Sequence, residues 1–298
     1  MPTDLEKLRE EKFKKVLKQT FSGCLFDIDG TLTIQGEEYI PAFAQEPLAK
    51  LAMKVPVAVC TARSIHHAQE SLMAVFTRAS DPKYCQANWV IICENGGTGY
   101  YFDPQKNGYV EFFKIPYPYP EEIKERIFGR IKGSLEGKTG VAKMDEVSMS
   151  FRPINYVSGA AAEVSKSCSE MEEIVIQTLR MVDPKNVLRA SNSGSGVNVY
   201  PYNGDKEHGT IEFAKYLRET RGINIGEFAR ELVVVGDQPQ PEGNDESFLN
   251  GKYGTPFTVG FRHPENIDPL PVYDPADGKI LTGPEGTISL INQLIFRS

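Results

Sequence analysis

Gly23-Cys24-Leu25-Phe26-Asp27-Ile28-Asp29-Gly30-Thr31-Leu32-Thr33 is the stretch on which the reading of this 298-residue chain turns. Residues 23–26 are short and apolar, the mark of a buried strand. Asp27 and Asp29 then stand at its carboxyl end, and Gly30 permits the turn that follows. In an open α/β sheet, ligands bind at that edge. Two neighbouring carboxylates repel, so one pKa rises unless a cation sits between them. Mg²⁺ suits such a pair, because it prefers hard oxygen ligands and bridges carboxylates to phosphate. One acid can then attack phosphorus while the other moves protons. Two plainer readings are a solvated acidic turn and a calcium loop using Asp27, Asp29, Thr31 and Glu38. The calcium loop needs glycine at its sixth position, where Leu32 stands, and a helix where the apolar strand lies.

Outward from this stretch the same pattern returns. Residues 55–60 predict a second buried strand, ending in Thr61-Ala62-Arg63-Ser64 before a helix over 65–77. The Thr61 hydroxyl and the N–H groups of that helix start can receive a phosphate oxygen, although helix capping alone explains a Thr or Ser there. A third strand, 89–93, ends in Glu94-Asn95-Gly96-Gly97. Residues 100–113 read as a hairpin turning at Asn107-Gly108. The texture then changes: a helix over 121–131, a half-exposed strand over 147–151, a long helix over 160–180 and a flexible turn over 191–196. Residues 197–201 read as a return to the core sheet, followed by a polar turn with Lys206 and a helix over 210–221. The most strand-like run, 232–235, delivers Gly236-Asp237 and then a proline-bent loop to Asn244-Asp245. A strand over 256–261 and a helix over 287–296 finish the chain, and a surface helix capped by Asp4 opens it. The expected fold class is α/β: a Rossmann-like parallel sheet over 1–98 and 197–298, with an α+β domain inserted at 99–196. Parallel strands joined by helices bring the tips to one edge.

Apolar residues make up 40% of the chain and charged residues 24%, within the globular norm. The 33 basic and 40 acidic residues leave a net charge of −7, which argues against a nucleic-acid partner. A metal and a few local cations can still draw an anionic substrate. Five cysteines, an odd number with no CxxC, suggest a reducing compartment, hence the cytoplasm. No signal peptide or membrane-spanning run is visible, so no membrane partner is expected. The four histidines lack zinc spacing. The expected species is a monomer or homodimer.

The four strand-tip motifs, Asp27-x-Asp29-Gly30-Thr31, Thr61, Lys206 and Gly236-Asp237…Asn244-Asp245, resemble those of the haloacid-dehalogenase-like superfamily. The resemblance covers roughly residues 20–98 and 197–262, and the insert is similar to the type II cap of its sugar-phosphatase branch. It implies an aspartyl-phosphate on Asp27, with Asp29 as general acid and then base. It implies Mg²⁺ held by Asp27, the Asp29 backbone carbonyl and Asp237, supported by Asp245 and Asn244. Thr61, Lys206 and Asn244 would bind the phosphoryl group. Lys143 and Arg152 are the cap candidates for substrate. Thr61-Ala62-Arg63 resembles the phosphatases, whereas the long loop from Asp237 to Asn244 resembles the phosphomannomutases. The implied activity is Mg²⁺-dependent hydrolysis of a small phosphorylated metabolite, a sugar phosphate. A phosphohexomutase and a non-catalytic phosphate-binding module are the alternatives.

Overall fold

Strands that are apolar at every position require cover on both faces. Gly23–Phe26, Val57–Cys60, Trp89–Cys93 and Leu232–Gly236 have that composition, and all their residues are buried. The computed structural model, which describes residues 3–241, 243–261 and 266–297, sets them at the centre of a nine-stranded sheet. Its order is 280–281, 270–273, 255–258, 232–236, 23–26, 57–60, 89–93, 98–103, 108–114. The strands from 270–273 to 89–93 are parallel, and antiparallel strands close both edges.

Alternation along each strand divides the side chains between two layers. Phe26, Val59, Ile91 and Val235 pack under helices Asp4–Val16, Ala42–Ala52, Ile65–Phe76 and Gly283–Gln293. Leu25, Ala58, Val90 and Val234 pack under Lys206–Glu219 and Glu246–Leu249. The first helix is capped by Thr3, whose side chain accepts from the Glu6 N–H, rather than by Asp4.

The inserted domain carries a four-stranded antiparallel sheet in the order 139–144, 149–153, 197–201, 188–192. Helices Glu121–Ser134 and Ala161–Val182 cover one face, around Phe151, Met149, Val197 and Val199. Both ends of the expected 99–196 insert shift. The Thr98–Asp103/Gly108–Lys114 hairpin extends the core sheet, because a tight Glu94–Gly96 turn lays it against Trp89–Cys93. Val197–Pro201 does not return to the core; its two hydrogen-bonded neighbours are Met149–Pro153 and Leu188–Asn192 of the cap. The cap sheet therefore lies between residues 115 and 202. The helix after it starts at Lys206, one turn earlier than expected, since the Asp205 side chain caps it through the His208 N–H at 3.1 Å. All five cysteines are buried free thiols. Among the described residues, no helix is long and apolar enough to cross a membrane.

The pleat of Met149–Pro153 gives a direct test. Phe151 is fully buried against Phe128, ring centroids 5.5 Å apart, while Ser150 lies on the opposite face. Phe151→Ala should cost about 3–5 kcal/mol in urea unfolding, and Ser150→Ala about 0.5 or less. Equal losses would contradict this orientation.

Candidate active site

Phe26 pairs with Val59 on one side and Val235 on the other. Asp27 therefore emerges level with Cys60 and Gly236, and Thr61 and Asp237 follow one residue further along the flanking strands. This is the carboxyl edge expected from the sequence. Gly30 turns the chain at φ +78°, and a Cβ there would lie 2.5 Å from Asp237 Oδ2. Only glycine lets the turn pass so close to that carboxylate.

Asp27 is 3% exposed and its Oδ1 accepts from Lys206 Nζ at 2.5 Å. The same ammonium donates to Asp245 Oδ1 at 2.6 Å. Asp245 Oδ2 in turn accepts from the backbone N–H groups of Asp237 and Gln238, at 2.9 and 3.0 Å. Oxygens of Asp27, Asp237 and Asp245 lie within 4.8 Å of one another. Asp237 Oδ1 is buried without a hydrogen-bond partner. Burial pushes Asp27 up to about 7, against Lys206 and with help from Asp245 and Asp29. Burial, then Asp245 and Asp27, raises Asp237 well above the usual carboxylate range. For Lys206, burial opposes the charge, but Asp245 and Asp27 outweigh it and raise its pKa.

Asp29 points elsewhere. Its carboxylate is gripped by Arg63, Nη2 to Oδ1 at 2.7 Å and Nε to Oδ2 at 3.2 Å. Arg63 also donates to the Glu38 carbonyl, 3.0 Å, and to the Ser71 hydroxyl. Thr61 is fully buried, and its hydroxyl accepts from the Arg63 N–H at 3.2 Å. The Asn244 carboxamide accepts from Ser191 of the cap, 3.3 Å, beside a backbone bridge between Asn192 and Gly243. At the other end of the cap, the buried Glu94 carboxylate accepts from Val147 N–H at 2.7 Å and Ser148 Oγ at 3.0 Å. Lys143 pairs with Asp145 at 2.6 Å and reaches Ser64 Oγ at 3.2 Å. Arg152 stacks on Tyr156, 4.4 Å from the ring centroid. Lys143, Arg152 and Asp29 all line one cavity of about 200 Å³ between cap and core. Asp237 opens instead onto a cleft of about 640 Å³.

No family model matches the sequence, and no curated protein matches it at a significant level. Solved structures do match. The IMP-bound, N-terminally truncated IMP-nucleotidase of Plasmodium falciparum superposes at a TM-score of 0.62 and 16% identity, over 98% of this chain and 73% of that one. The C-terminal domain of C. albicans trehalose-6-phosphate phosphatase gives 0.63 and 13%, over 97% and 96%. A trehalose-6-phosphate phosphatase related protein gives 0.53 and 11%, over 91% and 96%.

The chain has the haloacid-dehalogenase-like fold with an inserted cap. At these identities the likeness speaks for the fold, and the chemistry rests on the side chains. Within that fold Asp27, Asp237, Asp245 and Lys206 meet at one point, and Asp29 and Thr61 flank it on the same edge. Arg63 is the residue at this edge that sequence reading left without a role. Its signal was its place two residues beyond a strand-tip Thr, but its partner lies 34 residues away and only the fold pairs them.

The acid cluster makes stability depend on pH in a definite sense. An acid whose pKa is higher folded than unfolded keeps its proton after the unfolded chain has released its own. Without a divalent cation, the Asp27 contribution should decline as pH climbs from the ordinary carboxylate range to about 7, then level off. A Mg²⁺ ion held by these carboxylates would compete with that proton, so it should raise the melting temperature more at about pH 8 than at about pH 5.5. Thermal melts with and without Mg²⁺ at both values check this; equal shifts would contradict it.

Proposed function

We propose that the chain is a Mg²⁺-dependent phosphatase that hydrolyses a small phosphorylated metabolite, a sugar phosphate, through an aspartyl-phosphate on Asp27. The observation that carries this reading is the buried Asp27 carboxylate, oriented by Lys206 beside Asp237 at the parallel sheet's carboxyl edge. The names of the structural neighbours, a nucleotidase and a sugar-phosphate phosphatase, agree with it.

The donor set fits a hard divalent cation. Three carboxylates face a single ammonium among the described residues, and a buried Asp237 oxygen has no partner. Asp27 and Asp237 would hold the ion together with the Asp29 backbone carbonyl. Both oxygens of Asp245 already have donors, which suits it to fixing Lys206 and the Asp237 turn from outside that set. When bound, the ion would offset the carboxylate charge facing a phosphate dianion.

The chain's own groups do the rest. Asp27 attacks phosphorus, the bond to the substrate alcohol breaks, and Asp29 gives its proton to the departing oxygen. The Asp29 carboxylate then takes a proton from water as that water attacks the same phosphorus. The Asp27–phosphorus bond breaks, inorganic phosphate leaves and Asp29 is protonated again. Lys206 and Thr61 receive the phosphoryl oxygens. The bidentate Arg63 contact fixes the direction in which the Asp29 carboxyl group points.

Asp27→Asn should abolish phosphate release while leaving circular dichroism unchanged, because an amide cannot form the intermediate. Asp29→Asn should slow turnover by roughly two to four orders of magnitude. Wild-type rates in either variant would refute the assigned role. Excess chelator should stop the reaction, and Mg²⁺ should restore it. The long loop from Asp237 to Asn244 supports a phosphohexomutase as the second reading. Glucose 1-phosphate, assayed with and without the 1,6-bisphosphate, separates the two: phosphate release independent of bisphosphate is expected, and isomerisation outpacing release would replace this reading.

A further inference from the structure

The cap sheet has one covered face and one face towards the core. Register places Val141 opposite Arg152, and Lys143 and Asn198 opposite Ser150. These five residues share a face, and all of them line the cavity of about 200 Å³ that also contains Asp29. Met149 and Phe151, between them in sequence, point the other way into the cap core. The roof of the cavity is thus built by strand alternation.

The charges lining that cavity do not balance internally. Asp29 is taken by Arg63, and Asp145 by Lys143. Arg152 forms no ion pair among the described residues. It is half-buried and lies with its guanidinium over the Tyr156 ring. No hydrogen bond from the Arg152 side chain is made among the described residues, so its N–H donors remain for a carboxylate or phosphate. The hydroxyls and amide lining this cavity, Ser64, Ser150, Ser193, Ser195 and Asn198, are neutral; Glu38 and Glu70 border Arg152 in an adjoining cavity without forming an ion pair to it among the described residues. Burial, then Lys143 and Arg152, against Glu70, holds the neighbouring His67 below its usual value.

Building on the phosphatase reading, we infer that Arg152 and the hydroxyls beside it form a second anion site, which receives a carboxylate or phosphate on the alcohol part of the substrate. The preferred substrate is then a phosphomonoester of an acidic alcohol, or a bisphosphate, rather than a neutral polyol phosphate. The site stands apart from the groups that hold the transferred phosphoryl, since Asp27 and Lys206 do not line this cavity. Asp29 does line it, so the second anion sits on the leaving-group side.

Binding tests this without turnover. In an Asp27→Asn background with Mg²⁺, 3-phosphoglycerate and glycerol 3-phosphate differ only in a carboxylate against an alcohol. Fructose 1,6-bisphosphate and fructose 6-phosphate differ in a second phosphate. By titration calorimetry the more acidic member of at least one pair should bind roughly tenfold or more tightly, the range of a charge-assisted contact. The pair that responds tells carboxylate from phosphate. Adding Arg152→Ala should reduce the preference to about threefold or less, and Arg152→Lys should retain part of it as a point charge. Equal binding within both pairs, or a preference that survives Arg152→Ala, would overturn the site. Hydrolysis of p-nitrophenyl phosphate by the wild-type chain reads the phosphatase assignment separately. Hydrolysis without the preference removes only the anion site, and the preference without hydrolysis removes only the phosphatase.

Discussion

A single ammonium group, Lys206 Nζ, joins the two halves of the acid cluster inside the protein. It sits between Asp27 on the central strand and Asp245 beyond the neighbouring one. Breaking a buried pair by removing one partner leaves an uncompensated charge, at a cost of about 3–5 kcal/mol. The chain upstream is arranged to deliver this group. Asp205 caps the helix so that Lys206 is its first residue, and the last cap strand ends only a few residues before. Asp245 passes the constraint on, because its second oxygen fixes the backbone at Asp237 and Gln238. The orientation of Asp237 therefore follows from a lysine on another element.

The sheet edge and the core-facing side of the cap carry opposite signs. Below, three carboxylates surround one ammonium. Above, Arg152 and Lys143 project from one face of the cap sheet. The overall charge of −7 conceals this division. Under the function proposed above, a phosphorylated ligand would use both: cations to draw it in, and a carboxylate that attacks once its charge is balanced.

Much of this was legible in the sequence, for physical reasons. Strands buried on both faces are apolar at every position, so 23–26, 57–60, 89–93 and 232–236 announced themselves, and the polar residue after each marked a tip. Asp27, Thr61 and Asp237 were found in this way. The same logic misassigned Val197–Pro201, because a fully buried run looks alike in a parallel core and in the middle of an antiparallel cap sheet. Lys206 was assigned to a core strand tip; it stands at a helix start. Asn244 was read as a phosphate ligand, and its carboxamide contacts Ser191 of the cap. The Arg63–Asp29 grip and the Glu94 contact with the cap were invisible, since each depends on which loops the fold brings together.

The bridge between Asn192 and Gly243, with the Ser191–Asn244 contact beside it, spans the cleft at the loop that supports Asp245. A cap that swings away must sever both. The segment from Gln238 to Asn244 would then lose its lateral support, one residue before the carboxylate that orients Lys206. The attachment of the cap and the orientation of Lys206 thus hang on the same loop, so a displaced cap would loosen the acid cluster beneath it.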